Sequence, residues 1–335
     1  MKEALLYIRL EDLLVHCQLC AHNCKIQEGK FGFCGVRQNI KGVLYTHNYG
    51  KLAAVNTDPV EKKPLYHFFP GTLVFSIASA GCNFRCGFCQ NWQISQLNFI
   101  KEHPGDNFSA DEVVRLAKQN NCKSIAYTYT EPTIFFELAY ETARIAKEKG
   151  IKNVFVSNGF NTPEATRLIA PYLDGNNIDL KGDDNFYKKV CGGRLQPVLD
   201  TIRLMKELGV WVEVTTLIIP TYNDSEEFLR WTAEFIKSVD PAMPWHVTQF
   251  YPTYKLTDQP RTPVKALRRA REIGHEVGLK YVYEGNVPGE GGENTYCPSC
   301  GELLIERYGF SIVGLKMEGS KCSKCGHQLE GVGMP

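Results

Sequence analysis

Between about residue 72 and residue 285 the chain alternates short β-branched or apolar runs with amphipathic stretches. The runs 72–79, 124–129, 153–157, 177–180, 211–219 and 246–250 read as strands. Helix start signals fall between them. Ser109-Ala110-Asp111-Glu112 is a capping box opening a helix over 113–119, and Thr162-Pro163 puts proline at a first helical position. Pro132 suits the first turn of a helix over 134–149. Asn223-Asp224-Ser225 precedes a helix running to about Lys237, and Thr262-Pro263 starts one ending near Gly278. Six strand–helix repeats predict an α/β fold with a parallel sheet and ligands at the carboxyl ends of its strands. A closed eight-fold barrel needs more chain than this segment offers, so a partial (β/α)6 TIM-like barrel is expected, with a strand over 280–284 added at its edge.

Composition narrows the partners. A net charge of +1 gives no electrostatic footprint for nucleic acid or an anionic membrane. No apolar run reaches the length that crosses a bilayer, and Met1-Lys2-Glu3-Ala4-Leu5 lacks the apolar core of a secretion signal, so a cytoplasmic protein is expected. In that compartment thiols stay reduced, which argues against disulfides for the 13 cysteines. They are grouped instead: Cys17, Cys20, Cys24 and Cys34; then Cys82, Cys86 and Cys89; then Cys297, Cys300, Cys322 and Cys325, with Cys122 and Cys191 isolated. The grouping divides the chain into an N-terminal metal-binding lobe (1–70), a core (71–290) and a C-terminal module (291–335).

The central triplet is spaced Cys-x3-Cys-x2-Cys, with the aromatic Phe88 before its last member. Three thiolates on a short loop can hold three irons of a four-iron cluster and leave the fourth open to an external ligand. A zinc knuckle or a chance group of buried thiols is the plainer alternative. The pattern resembles the signature of the radical S-adenosylmethionine (SAM) enzymes. That resemblance implies a [4Fe-4S] cluster on Cys82, Cys86 and Cys89 that chelates SAM and cleaves it reductively to a 5′-deoxyadenosyl radical. It also implies an electron donor of the flavodoxin or ferredoxin type. Phe88 is then expected beside the cluster and near the adenine.

Other candidates sit at strand ends. Glu131 precedes proline and is therefore extended, which places a carboxylate at the catalytic face; a solvent-exposed glutamate at a helix start is the competing reading. The segment resembles the Gly-Gly-Glu of pyruvate formate-lyase activases, which binds the SAM ammonium, but Tyr129 and Thr130 replace the glycines. Ser157-Asn158-Gly159 resembles the Thr-Asn-Gly of the same enzymes; it is either a ligand for ribose or the SAM carboxylate, or a plain turn. Asp179 and Lys181 alternate with apolar residues, so they share one side, the barrel lumen, where unpaired charges are costly; a catalytic pair facing SAM or substrate is expected. Glu213 and Thr215 likewise share a face. The resemblance places the backbone around Phe250 near the adenine. His246 reads as structural or acid–base, and Cys191 as a reactive thiol or a small buried residue.

Cys297-x2-Cys300 and Cys322-x2-Cys325 look like a zinc ribbon, each knuckle followed by a glycine (Gly301, Gly326) and the two joined by a hairpin. The N-terminal four fit zinc or an iron–sulfur cluster; a closed four-ligand site with no other redox sign favours zinc. With these groups in place the whole chain resembles the AmmeMemoRadiSam system radical SAM enzymes, relatives of pyruvate formate-lyase activating enzymes. The run from Lys62 to Gly71, Cys89-Gln90-Asn91-Trp92, Tyr127 to Thr133, Cys17 to Cys24 and Asn294-Thr295-Tyr296-Cys297 carry that likeness. Gln249-Phe250-Tyr251-Pro252 departs from it, lacking the arginine and histidine expected near the phenylalanine. Memo-like and AMMECR1-like proteins are the implied associates. The expected activity is that of a radical SAM oxidoreductase abstracting hydrogen from an unidentified substrate; in the activase version the substrate is a protein glycine. A non-catalytic metal-stapled binding protein is the contrasting class. It would want a fourth cysteine near the triplet, and the sequence has none between Cys89 and Cys122.

Overall fold

The structure is a computed structural model and describes residues 1–96 and 105–335. Eight strands form one mixed sheet: β1 (Ala54–Pro59), β2 (Leu73–Ala78), β3 (Ser124–Tyr127), β4 (Lys152–Ser157), β5 (Gly175–Asp179), β6 (Trp211–Ile218), β7 (Trp245–Gln249) and β8 (Val282–Gly285). They lie side by side in chain order; β2 to β8 are parallel, and β1 pairs antiparallel with β2. Parallel neighbours need a crossover. Helices supply them: α1 (Ala110–Gln119), α2 (Phe136–Glu148), α3 (Pro163–Ile169), α4 (Gln196–Glu207), α5 (Glu226–Val239) and α6 (Val264–Val277). The six expected strand–helix units are present, and the strand expected over 280–284 is β8. The sequence pattern missed β1, whose Asn56, Thr57 and Asp58 break the apolar run.

The start signals act as expected. Ser109, Thr162 and Ser225 each accept a backbone N–H three residues on, from Glu112, Ala165 and Phe228. Gly278, at φ +106°, ends α6 in the left-handed conformation that glycine alone adopts freely. The helix expected over 134–149 begins two residues earlier as a tight 3-10 turn, Pro132–Phe135, before continuing as α2.

The inner face of the sheet is filled by the run between β1 and β2. Val60, Leu65 and Phe68 cover Val74, Ala126 and Val154 on β2, β3 and β4, and Tyr66 packs against Tyr281 and Tyr283. Lys62 and Lys63 reach back to Asp58 at 2.8 and 2.7 Å. Glu213, fully buried on the inner face of β6, accepts from the Tyr66 and His67 backbone N–H groups (3.0 and 2.8 Å), Trp211 Nε1 (3.0 Å) and His246 Nε2 (2.7 Å). Four donors are what a buried carboxylate requires to stay ionised. They hold Glu213 below its usual range although burial pushes the other way.

Two small antiparallel sheets precede the large one. Lys2–Glu3, Val43–Thr46 and Arg37–Ile40 form the first; Tyr7–Arg9, Val15–Cys17 and Lys25–Ile26 form the second. After β8 a hairpin, Leu303–Tyr308 with Ser311–Leu315, docks on the inner run: Arg307 Nη2 donates to Tyr66 O (3.0 Å), and its guanidinium lies 4.3 Å from the Tyr66 ring centre. Among the described residues no helix is long and apolar enough to cross a membrane.

Candidate active site and metal centres

The loop carrying Cys82, Cys86 and Cys89 leaves the carboxyl end of β2 and is fastened on three sides. Gly81 turns at φ +103° against the N-terminal residues; a Cβ there would lie 3.0 Å from Val36 Cγ1 and 3.7 Å from Cys34 O. Arg85 N and Gly87 N donate to the carbonyls of Cys191 (2.7 Å) and Val190 (3.2 Å). Phe84 sinks against Gly193, where a Cβ would come within 2.4 Å of its ring. On the third side Asn83 O lies 2.7 Å from His22 Nε2, and Asn83 Oδ1 accepts from Asn158 Nδ2 at 2.7 Å.

Burial pushes the Cys82 thiol well up, helped by the charges of Glu131 and Cys86. Cys86 is pushed up by its contact with Cys191, then by burial. Such thiols become thiolates only against bound cations. Three soft sulfur ligands, with no histidine or carboxylate among them, match iron in an iron–sulfur cluster and not a hard cation.

The strand-end candidates gather around this loop. Lys181 Nζ meets Asp179 Oδ2 at 2.6 Å, so the alternation did put both on one side. Burial opposes the charge on Lys181, but Asp179, Cys86 and Cys191 outweigh it and hold the ammonium protonated. The same Nζ lies 5.9 Å from the Phe88 ring centre, and Phe88 packs 5.7 Å from Phe186.

Glu131 is extended, at φ −121° and ψ +117°, as the following proline required, and it is buried. Its Oε1 accepts from Thr133 N, Thr133 Oγ1 and Ser157 Oγ (3.1, 2.6 and 2.9 Å), and its Oε2 from Asn158 N (2.8 Å). The carboxylate thus ties the end of β4 to the turn after β3. Ser157 and Asn158 are turned inward with it. Tyr129 holds φ +61°, and Thr130 N closes a tight turn on Thr128 O at 2.7 Å. The backbone therefore keeps a glycine-like shape with a tyrosine in it, at a cost of about 1 kcal/mol. The Tyr129 hydroxyl on Asp58 and the bond from Asn91 Nδ2 to Tyr129 O (2.8 Å) hold it there. Phe250 is buried, and its backbone N–H and carbonyl are both engaged by Thr262.

A cavity of ≈ 400 Å³ lies on the inner face; Gln90, Tyr66, His246, Thr248, Glu284 and Phe310 are among its walls. Gln90 follows Cys89 directly, so the cavity borders the cysteine loop. His246 reaches it while donating to Glu213.

Asn83, within the loop, and His22 carry no local signal of their place in the site, because their partners there lie far off in the chain. Cys191, read as either a reactive thiol or a small buried residue, is buried, and its thiol lies beside that of Cys86.

The flanking cysteines differ from each other. The Cys297 and Cys325 sulfurs are 3.6 Å apart and those of Cys300 and Cys322 3.7 Å apart, with all four within 4.8 Å. A hydrogen bond from the backbone of His327, then the neighbouring thiols, pull Cys325 down to about 7. This set could hold a metal ion. The N-terminal four also face one another, but around a void that Arg37 and Ile134 help to line.

Residues 76–232, which contain the cysteine loop and the ends of β2 to β6, match the radical SAM superfamily. The chain is 49% identical to the uncharacterised protein MJ0808 of Methanocaldococcus jannaschii, over 98% of this chain and 99% of that one. It is 22% identical to the pyruvate formate-lyase-activating enzyme of Clostridium pasteurianum, over 61% of this chain and 89% of that one. In fold it is similar to Streptococcus suis SuiB bound to S-adenosylmethionine, with a TM-score of 0.52 at 17% identity, covering 68% of this chain and 53% of that one. A cluster loop of three cysteines at the end of the first parallel strand and these likenesses agree: the chain belongs to the radical SAM superfamily and is an enzyme of that type, related to pyruvate formate-lyase-activating enzymes.

Proposed function

We propose that this enzyme abstracts a hydrogen atom from a small molecule held in the cavity beside Gln90. When bound, the [4Fe-4S] cluster and SAM supply the reductive cleavage that yields the abstracting 5′-deoxyadenosyl radical. Cys82, Cys86 and Cys89 would hold the cluster. Lys181, fixed by Asp179, places a positive charge toward Cys86 and the Phe88 ring, where it stabilises the anionic thiolates and can orient the SAM carboxylate. Glu131 serves by positioning: it aligns Ser157 and Asn158, and Asn158 steadies Asn83 between the cluster ligands. The backbone at Phe250 forms the wall toward the adenine. Tyr66, His246 and Thr248 line the space for the substrate, with His246 oriented by Glu213.

The observation that carries this reading is the ≈ 400 Å³ cavity opening next to the residue after Cys89, a volume suited to a metabolite-sized ligand. Incubating the reconstituted enzyme with SAM and fractionated deuterated metabolites tests it. Deuterium in 5′-deoxyadenosine from one small-molecule fraction is expected, and labelling only from a protein fraction would overturn it. The second reading, an activase acting on a protein glycine, is favoured by the likeness to the Clostridium pasteurianum enzyme.

The finer assignments belong to the same proposal. A partial barrel over 71–290 carries the chemistry, between an N-terminal lobe (1–70) and a zinc-ribbon-like module (291–335). A flavodoxin- or ferredoxin-type protein supplies the electron in the cytoplasm. The likeness to the AmmeMemoRadiSam system makes Memo-like and AMMECR1-like proteins its associates. The sulfur separations of the C-terminal four support zinc there, since tetrahedral zinc with bonds of about 2.3 Å puts its thiolates about 3.8 Å apart.

A further inference from the structure

We propose that Cys17, Cys20, Cys24 and Cys34 hold a second [4Fe-4S] cluster next to the catalytic one, and not the zinc ion that their number first suggests. Sulfur spacing is the first ground. Zinc gathers its four thiolates into mutual contact, and the C-terminal four stand that way. Among the described residues they are the one group of three or more such ligands whose atoms all fall within 4.8 Å. Cys17, Cys20, Cys24 and Cys34 are not gathered in that way. Instead all four line one common void. A cubane places each thiolate on a different iron, so it needs sulfurs set apart around a body.

The second ground is Arg37. It lines the void and is 1% exposed. Nη2 donates to Glu137 Oε1 at 2.6 Å and Nη1 to Leu5 O at 3.1 Å, but Nε finds no partner. A buried N–H without an acceptor is destabilising. A cluster in the void supplies acceptors in its sulfurs, and hydrogen bonds to sulfur are a means of tuning cluster potential.

Position gives the site its use. His22, within the cysteine run, contacts Asn83 O; Phe33 O accepts from Arg85 Nη2 at 2.5 Å; and Cys34 O abuts Gly81, next to Cys82. The two cysteine sets thus meet through a few backbone atoms. A cluster there would take one electron from a low-potential donor of the ferredoxin class and pass that electron to the catalytic cluster. It returns to its oxidised state for each SAM cleaved.

The test is elemental and spectroscopic, so it stands apart from SAM cleavage and from the substrate. The full chain and its Cys82/Cys86/Cys89→Ala variant are reconstituted anaerobically with iron and sulfide. About eight irons per wild-type chain and about four in the variant are expected, with about four sulfides and a dithionite-reducible paramagnetic signal remaining in the variant. A wild-type chain with about four irons and about two zincs would overturn the proposal whether or not the variant folds. Cys20→Ser/Cys24→Ser in the otherwise native chain should lower iron from about eight to about four; an unchanged count would also overturn it.

Discussion

Asn158 donates its side-chain amide to Asn83 Oδ1 at 2.7 Å, joining the end of β4 to the loop between two cluster ligands. Asn158 is itself held by Glu131, whose Oε2 takes its backbone N–H. A buried carboxylate just past the end of β3 is thereby linked, through Asn158, to the cysteine loop that follows the adjacent β2.

That chain of contacts predicts coupling. Asn158→Ala and Asn83→Ala should each cost about 1 kcal/mol in urea unfolding, and the double variant less than the sum. Both should lose iron to a chelator faster than the wild type. Additive costs with unchanged iron retention would show the bond to be incidental.

Lys181→Met should leave the iron content intact and lower 5′-deoxyadenosine formation at least about tenfold, the equivalent of roughly 1.4 kcal/mol in the barrier. Lys181→Arg should recover part of the rate. A Met variant with full activity would reduce the Asp179–Lys181 pair to a strand-end brace.

These two predictions rest on features of unequal legibility. The parallel strands could be read because they are buried and apolar, and Asp179 with Lys181 because a period of two puts them on one side. Glu131 could be placed but not understood: its partners Ser157 and Asn158 come from the next strand. Glu213 gave even less warning, since its four donors are drawn from Tyr66, His67, Trp211 and His246. Side-chain partners across parallel strands are long-range in sequence and leave no local period. The edge strand β1 was missed for a local reason, its polar centre.

His67 predicts a pH dependence. It is buried, with Nδ1 donating to Glu330 O at 2.7 Å and Nε2 accepting from the Tyr283 hydroxyl at 2.6 Å. Burial pushes its pKa down from 6.5 to about 4. The unfolded chain then binds a proton that the folded chain refuses, so this contribution is complete above pH 6.5 and is lost as pH falls toward 4. Between pH 7 and 4 the stability gap between wild type and His67→Gln should shrink by roughly 3 kcal/mol. Parallel stability curves would contradict a neutral buried His67.

At the C-terminal four, Cys322→Ser should remove about one zinc per chain while leaving the iron count unchanged. It should also lower the melting temperature, because the neighbouring hairpin braces Tyr66 through Arg307. Zinc retained in full would show that the 3.6 and 3.7 Å sulfur pairs are not its ligands.

Everything proposed for the site depends on Cys82, Cys86 and Cys89 carrying a cluster that cleaves SAM. The direct measurement is 5′-deoxyadenosine formed by the anaerobically reconstituted enzyme with dithionite and SAM. Product is expected from the wild type and none from Cys82/Cys86/Cys89→Ala. An iron-loaded wild type that forms none would contradict it.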